Sequence, residues 1–141
     1  MTSALFPCPP LAPLLRVEIR ELTSLSVLSV LVLPTTEYPV HDIPLSHSMY
    51  RTMFQIAKLP QIPSIRIWRP YRVTSERGAE TEVVHFRGIS DARGRLMVLM
   101  THNTDIADAW EREGEDRDYF QHFSPDGYAV GINVLLYTMA H

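Results

Sequence analysis

The densest group of side chains that could bind a ligand or take part in catalysis lies between His102 and Glu111. One imidazole, one amide and three carboxylates occur within these ten residues. If the segment is helical, its carboxylates recur every third residue and share one side, where their oxygens would suit a hard cation such as calcium or magnesium. The imidazole extends the choice to a zinc or mixed-ligand site. The candidate ligand or metal-binding residues are therefore His102, Asn103, Asp105, Asp108 and Glu111.

The same segment also fits roles without a metal. Two carboxylates in different environments can divide into a general acid and a general base, although the spacing here matches no established catalytic motif. In the structural alternative, Asn103 or Asp105 caps a helix. Asp108 and Glu111 are then solvated or paired with the following arginine, and Trp110 packs in the core. The residue types alone leave these alternatives open.

Three further residues, Trp110, Asn133 and His141, are candidates to support such a site. Asn133 lies in an apolar helical pattern, and a buried amide needs hydrogen-bond partners. It could tie that helix to the acidic segment, or its role is confined to packing. His141, at the end of the same pattern, is also explained by a favourable interaction with the helix dipole.

No nucleophile or cofactor motif is recognised in the sequence. No serine or cysteine lies in a nucleophile-elbow pattern, and neither a glycine-rich phosphate loop nor an HExxH spacing occurs. Cys8 is the single cysteine, which rules out an internal disulfide and a cysteine-based zinc site. A divalent metal ion is thus the one cofactor that the residue types suggest. The sequence identifies no substrate or partner.

Composition and charge exclude several classes of protein. The hydrophobic fraction of 45% and the charged fraction of 21% are typical of a globular domain rather than a disordered chain. A net charge of −3 without a basic stripe argues against a nucleic-acid partner. The longest apolar stretch, Leu25 to Leu33, is too short for a transmembrane helix. The first basic residue is Arg16, so the start is no convincing signal peptide.

The acidic segment follows a predicted β-hairpin. Residues 82–89 and 95–101 have strand patterns, and Asp91 to Gly94 supplies the turn. Because the second strand is apolar on both faces, we expect it in the middle of a covered, mostly parallel sheet. The acidic segment then follows the carboxyl end of that strand, where sites collect in α/β folds.

Three other elements are predicted around the hairpin. A short helix is expected around Met49 to Ala57, and a strand is expected from Ser64 to Trp68. A C-terminal helix begins with Ser124 as N-cap and Pro125 in the first helical position. One apolar side of this helix is expected to pack on the sheet. It carries Tyr128, Ile132, Leu135, Leu136 and Met139.

Residues 1–36 differ in character from the rest of the chain. Four prolines lie between Pro7 and Pro13, and Ser24 to Leu33 contains only serine, leucine and valine, which is typical of a buried strand. From Glu37 onward the composition is that of an ordinary domain. We therefore divide the chain into an atypical N-terminal segment, residues 1–36, and an α/β domain, residues 37–141.

Six segments that occur in order give the domain a family resemblance. They are Leu45 to Tyr50, Leu59 to Pro63, Phe86 to Ile89, Gly94 to Val98, His102 to Glu111 and Gly131 to His141. Together they resemble the C-terminal half of the bacterial domain of unknown function 4159 family, over about 105 residues. The chain departs from the family pattern at Ser48, Ala107 and Ala140, where the family usually has proline, glycine and threonine.

The resemblance implies a fold more than an activity. It implies a flavodoxin-like or class I glutamine amidotransferase-like α/β domain, in proteins that are often exported or attached to the cell envelope, so the cell envelope or periplasm is the implied location. The family has no assigned reaction, and no catalytic role is carried over. Since residues 1–36 do not resemble the family's first half, we expect either truncation at the N-terminus or a start that reads through unrelated sequence. A half domain would leave strand edges unpaired and invite self-association.

Three hypotheses for function follow from the sequence. The first is a non-catalytic binding or interaction domain of an envelope-associated protein. The second is a metal-assisted hydrolase that uses His102, Asp105, Asp108 and Glu111. The third is a truncated fragment without activity of its own. A pocket that joins the acidic segment to Asn133 or His141 would favour the hydrolase.

Overall fold

The computed structural model describes residues 34–141, and these form a small α/β unit. The predicted α/β class is confirmed for this part of the chain, whereas the strand predicted at Ser24 to Leu33 lies outside the described residues. Within them the strands are β1 (His41–Asp42), β2 (His85–Ser90) and β3 (Leu96–His102). The α-helices are α1 (Ile65–Tyr71), α2 (Asp108–Glu111) and α3 (Arg117–Ala140). Short 3-10 helices span Ser48–Arg51, Gly78–Thr81 and Glu113–Glu115.

The predicted hairpin is confirmed as the antiparallel pair of β2 and β3, whose register runs from His85 opposite His102 to Ser90 opposite Leu96. The turn is held by Asp91, whose carboxylate accepts hydrogen bonds from the backbone N–H groups of Arg93 and Arg95, each at 2.9 Å. Gly94 takes the positive φ of 77° that the turn requires, a conformation that costs glycine little.

Within residues 34–141, β3 does not lie in the middle of a mostly parallel sheet as predicted. The described sheet is antiparallel, with the order β1-β2-β3, so β3 lies at an edge of it. Every residue of β3 is at least partly exposed, although Leu96 and Leu99 pack against the core. An almost wholly apolar strand indicates apolar surroundings, but its pattern does not tell which strands lie beside it.

Two predictions for residues 49–68 were also wrong. The chain forms only the 3-10 helix at Ser48–Arg51, because the backbone N–H groups of Met53 and Phe54 bond to a distant side chain instead of continuing a helix. Residues 64–68 begin helix α1 rather than a strand. Ile65 alone in that helix is buried, so the alternation of isoleucines did not mark a strand face.

Helix α3 begins earlier than predicted. Asp116, not Ser124, is its N-cap, and the Asp116 carboxylate accepts from the N–H of Tyr119 at 2.9 Å. Ser124 and Pro125 lie inside the helix. None of the helices within residues 34–141 is both long and apolar enough to span a membrane.

The buried face of α3 is opposite the predicted one. Its buried residues are Tyr119, Phe123, Ser124, Gly127, Val130, Asn133 and Tyr137. On the predicted face, Tyr128, Leu135 and Met139 are 40%, 59% and 76% exposed. The helix carries apolar residues on both sides, so its periodicity could not decide which side packs inward.

Gly127 sets the distance between α3 and α2. A Cβ atom at this position would overlap the Cβ atom of Ala109 and lie 3.5 Å from the carbonyl oxygen of Ile106. We expect Gly127→Ala to lower the free energy of unfolding by about 1–3 kcal/mol through overpacking, even though alanine intrinsically favours a helix by about 1 kcal/mol over glycine.

Urea unfolding of the full chain measures this effect, with Gly114→Ala as the matched control. A Cβ atom at Gly114 would meet nothing within 4 Å, so the control should stay close to the wild type. A Gly127→Ala protein more stable than the wild type would contradict the close approach of the two helices.

Candidate functional site

A cleft of about 330 Å³ lies at the carboxyl end of β3. One wall is the segment that leaves the strand, and the other is the polar loop before β2. The cleft holds two carboxylates, one guanidinium and one imidazole among its lining side chains. The lining residues are Ile62, Glu76, Arg77, Thr81, His102, Asn103, Thr104 and Asp105.

The first wall is held in place by hydrogen bonds to residues 60–62. The Thr104 hydroxyl accepts from the N–H of Ile62 at 3.0 Å and donates to the carbonyl of Pro60 at 2.9 Å. The backbone N–H of Asp105 donates to the carbonyl of Ile62 at 2.7 Å. Asn103 turns the chain with a φ of 60°, which asparagine tolerates better than most residues. The wall is thus positioned by both backbone and side chain.

The second wall is the loop that contains Glu76. One Glu76 oxygen, Oε1, accepts from the backbone N–H of Ser64 at 2.7 Å. The Gln61 amide donates to the carbonyl of Thr81 at 2.8 Å, and the hydroxyls of Ser75 and Thr81 are 2.8 Å apart. These bonds connect the loop to the chain segment that also holds the first wall, so the two walls share one support.

The electrostatics of the cleft centre on Asp105. Burial raises the pKa of its carboxyl above the ordinary value, and the charges of Asp108, Glu76 and Glu111 act in the same direction. The N–H of Asp108, which donates to Asp105 Oδ1 at 3.3 Å, lowers the pKa and only partly offsets the rise. The negative charge of the Asp105 carboxylate is therefore poorly compensated by residues 34–141.

The raised pKa of Asp105 gives a stability prediction with a defined sign. A raised folded-state pKa contributes stability that is present below the ordinary value of 3.8 and is lost as pH rises through the folded-state pKa. We therefore expect Asp105→Asn, which keeps an acceptor for the N–H of Asp108, to raise the thermal midpoint near neutral pH.

Calorimetry over a pH series measures that difference. It should shrink toward zero below the ordinary pKa, because both proteins then carry a neutral side chain at this position. A stabilisation that persists unchanged in acid would show that the effect has another origin. Asp126→Asn, the same substitution at an exposed position outside the cleft lining, is the control.

The structure divides the predicted ligand set. His102, Asn103 and Asp105 line the cleft, whereas Asp108 and Glu111 do not. Asp108 is buried and faces Ser64 and Ile65, with its Oδ1 atom 3.5 Å from Arg112 Nε. The condition that one helix carries all three carboxylates is not met, because α2 begins only at Asp108.

The predicted ligand residues do not come together as a metal site in the described residues. Within residues 34–141, no group of three or more histidine, cysteine, aspartate or glutamate side chains could hold a metal ion. Glu111 is exposed. Ala107, between Asp105 and Asp108, has an ordinary helical φ of −67°.

None of the three supporting candidates lines the cleft. Trp110 packs over Gly131 and lies 6.3 Å from the ring of Tyr128. For Asn133 the sequence left open a tie to the acidic segment or a packing role, and its side chain bonds to the backbone of residues 53 and 54. His141 bonds to the carbonyl of Tyr137 at 2.9 Å and stacks on its ring at 4.3 Å. All of these contacts are with residues outside the cleft lining.

Three lining residues of the second wall, Glu76, Arg77 and Thr81, were missed by sequence reasoning. They lie more than twenty residues before the acidic segment, in a polar loop whose composition carries no motif. Their polar character was the only available signal, and it is shared by most surface loops.

Comparison with known proteins identifies the family of the chain. A family model described as "Domain of unknown function (DUF4159)" matches residues 24–139. No curated protein and no solved structure matches the chain. The family resemblance predicted from the six ordered segments is thereby confirmed. The matched range begins before Glu37, and the division of the chain at that residue stays a prediction.

Proposed function

The chain belongs to the DUF4159 family, a family of unknown function, and on that premise we propose that it is a binding domain. Its ligand would be a small polar molecule that carries an amine, held in the cleft at the end of β3 without chemical conversion. The observation that carries this proposal is the presence of the Glu76 and Asp105 carboxylates in one cleft of about 330 Å³.

The ligand class follows from the hydrogen-bond acceptors that remain free on those carboxylates. The hydrogen bonds described above use Glu76 Oε1 and Asp105 Oδ1, which leaves the second oxygen of each as an acceptor. An ammonium group donates three hydrogen bonds and would compensate the charge that burial makes costly at Asp105. Arg77, in the same cleft, would favour a ligand that also carries an anionic or carbonyl group.

The binding role has more support than the metal-assisted alternative. The hydrolase hypothesis needs His102, Asp105, Asp108 and Glu111 to act together, but only two of these four line the cleft. Asp108 is already bonded to Ser64 and Ile65. A binding role needs only the cleft as it stands, with acceptors fixed by bonds to the backbone.

Thermal shift with amine probes tests the binding proposal on the full chain. We expect 1,4-diaminobutane and arginine amide to raise the thermal midpoint at matched ionic strength, because a ligand of the native state stabilises it by mass action. Acetate should have no such effect. The shift caused by the amines should disappear in Asp105→Asn and in Glu76→Gln and persist in Asp126→Asn, which lies outside the cleft lining.

Two results would contradict the proposal. One is the absence of any amine-specific shift in the wild type. The other is a shift of the same size in Asp105→Asn, which would place the bound amine elsewhere on the surface.

We also infer a finer fold and setting for the domain. The antiparallel sheet would be one margin of a larger flavodoxin-like or class I glutamine amidotransferase-like sheet, since mostly parallel sheets commonly carry an antiparallel edge strand. A structure of a longer family member should show a parallel strand beside the counterpart of β3, and an antiparallel one there would contradict the inference.

The envelope-associated setting rests on the resemblance alone. Cell fractionation should find the protein with the envelope or periplasm, and a wholly cytoplasmic pool would contradict it.

A further inference from the structure

Helix α3 has an apolar outer face that the described residues leave exposed. We define the outer face as Tyr128, Ile132, Leu135, Leu136 and Met139. Tyr128, Leu135 and Met139 are 40%, 59% and 76% exposed, and Ile132 and Leu136 are half-buried. No ionisable residue other than Tyr128 and Tyr137 occurs from residue 128 to residue 139. A contiguous exposed apolar patch on a soluble domain marks an interaction surface.

The spacing of the outer face indicates what kind of partner it fits. Tyr128, Ile132, Leu135 and Met139 follow one another at intervals of four, three and four residues. This is the spacing of the apolar seam in a coiled coil, where each side chain inserts between side chains of a facing helix. The partner that fits such a seam is a second helix with the same spacing.

A second copy of this chain supplies such a helix, and we propose that two copies pair through their outer faces. In an antiparallel pairing about a twofold axis, Tyr128 lies opposite Met139 of the second copy, and Ile132 lies opposite Leu135. The seam is symmetric about its centre, so every apolar residue meets an apolar residue. A twofold interface needs this self-complementarity.

The charge pattern supports the second copy over a lipid surface. No like charges would face each other across the pairing, because residues 128–139 contain no aspartate, glutamate, lysine, arginine or histidine. A helix that lies on a lipid surface typically carries lysine or arginine beside its apolar face, and these residues carry neither. This proposal does not depend on the cleft, which lies on other elements.

Sedimentation of the full chain over a wide concentration range tests the pairing. We expect the wild type to sediment with twice the chain mass at high concentration. Leu135→Glu should weaken the dimer at least about tenfold, since it buries an unpaired charge in the seam. Val83→Glu is the matched control, because Val83 is also exposed, at 62%, but lies outside α3. Circular dichroism verifies that each variant remains folded.

A mixing experiment tests the antiparallel register. Ile132→Lys and Leu135→Glu should each be monomeric alone, and an equal mixture should form a heterodimer, because lysine and glutamate then face each other. Failure of the mixture to pair would overturn the register.

Other outcomes would overturn the pairing itself. These are a wild type that is monomeric at every concentration, or unchanged association of Leu135→Glu. A third is a monomeric wild type that dimerises only after deletion of residues 1–33, which would mean that the chain's own segment occupies the face. Binding of a monomeric wild type to lipid vesicles would assign the face to a membrane surface instead.

Discussion

Asn133→Ala is expected to lower the free energy of unfolding by about 3 kcal/mol, because it removes the partner of several backbone groups at once. Asn133 is almost fully buried. Its Oδ1 atom accepts from the N–H groups of Met53 and Phe54 at 3.1 and 2.9 Å, and its Nδ2 atom donates to the carbonyl of Phe54 at 2.7 Å. Alanine would leave three backbone groups without their partner.

Two measurements separate this mechanism from a general loss of packing. Chemical unfolding gives the free-energy change, with Thr138→Ala on the exposed side of the same helix as a control that should change it little. Hydrogen exchange should show faster exchange at the amides of Met53 and Phe54 in Asn133→Ala. A loss below about 1 kcal/mol, within the range of an ordinary hydrogen bond, would contradict the role given to this amide.

Asp108→Ala should cost a similar amount, about 3 kcal/mol, for a different reason. The buried Asp108 carboxylate accepts from the backbone N–H of Ile65 at 2.9 Å and from the hydroxyl of Ser64 at 3.1 Å. Asp108, which belongs to α2, therefore acts as a cap for the first residues of α1. Truncation would remove the cap and leave a buried N–H group unpaired, whereas Arg112 would keep its ion pair with Glu115 at 2.8 Å.

The conservative variant Asp108→Asn makes this prediction specific. Asparagine retains an oxygen that can accept from Ile65, so we expect a loss of only about 1 kcal/mol. Glu111→Ala, in the same short helix but exposed, is the control and should lie near the wild type. Equal losses in Asp108→Ala and Asp108→Asn, measured by urea unfolding, would show that charge rather than capping is responsible.

The hairpin was predictable because all of its determinants are local. The alternation of β2, the apolar run of β3 and the turn from Asp91 to Gly94 are contiguous in the sequence. The carboxylate that holds the turn bonds to residues two and four positions later. A local pattern of this kind predicts both the two strands and the turn that pairs them.

The helices were less predictable because their determinants are distant. The Asp108 side chain that caps α1 lies 43 residues beyond Ile65. The sequence from Ser64 to Trp68 therefore gives no sign that a helix is capped there. In α3, both sides are apolar, and the packed side was decided by the fit of Gly127 against Ala109, which periodicity does not report. The same holds for the cleft, where one wall came from the acidic segment and the other from a loop without a motif.

The cap that α2 provides for α1 also constrains the order in which the chain folds. A seven-residue helix is far too short to persist alone, because nucleation is unfavourable and few bonds follow it. Helix α1 must therefore await the closure of the long loop that brings Asp108 to Ile65, a slow type of step because chain entropy is lost before contacts form. The amide of Ile65 should accordingly acquire protection from exchange late in refolding, well after the amides of the β2–β3 hairpin.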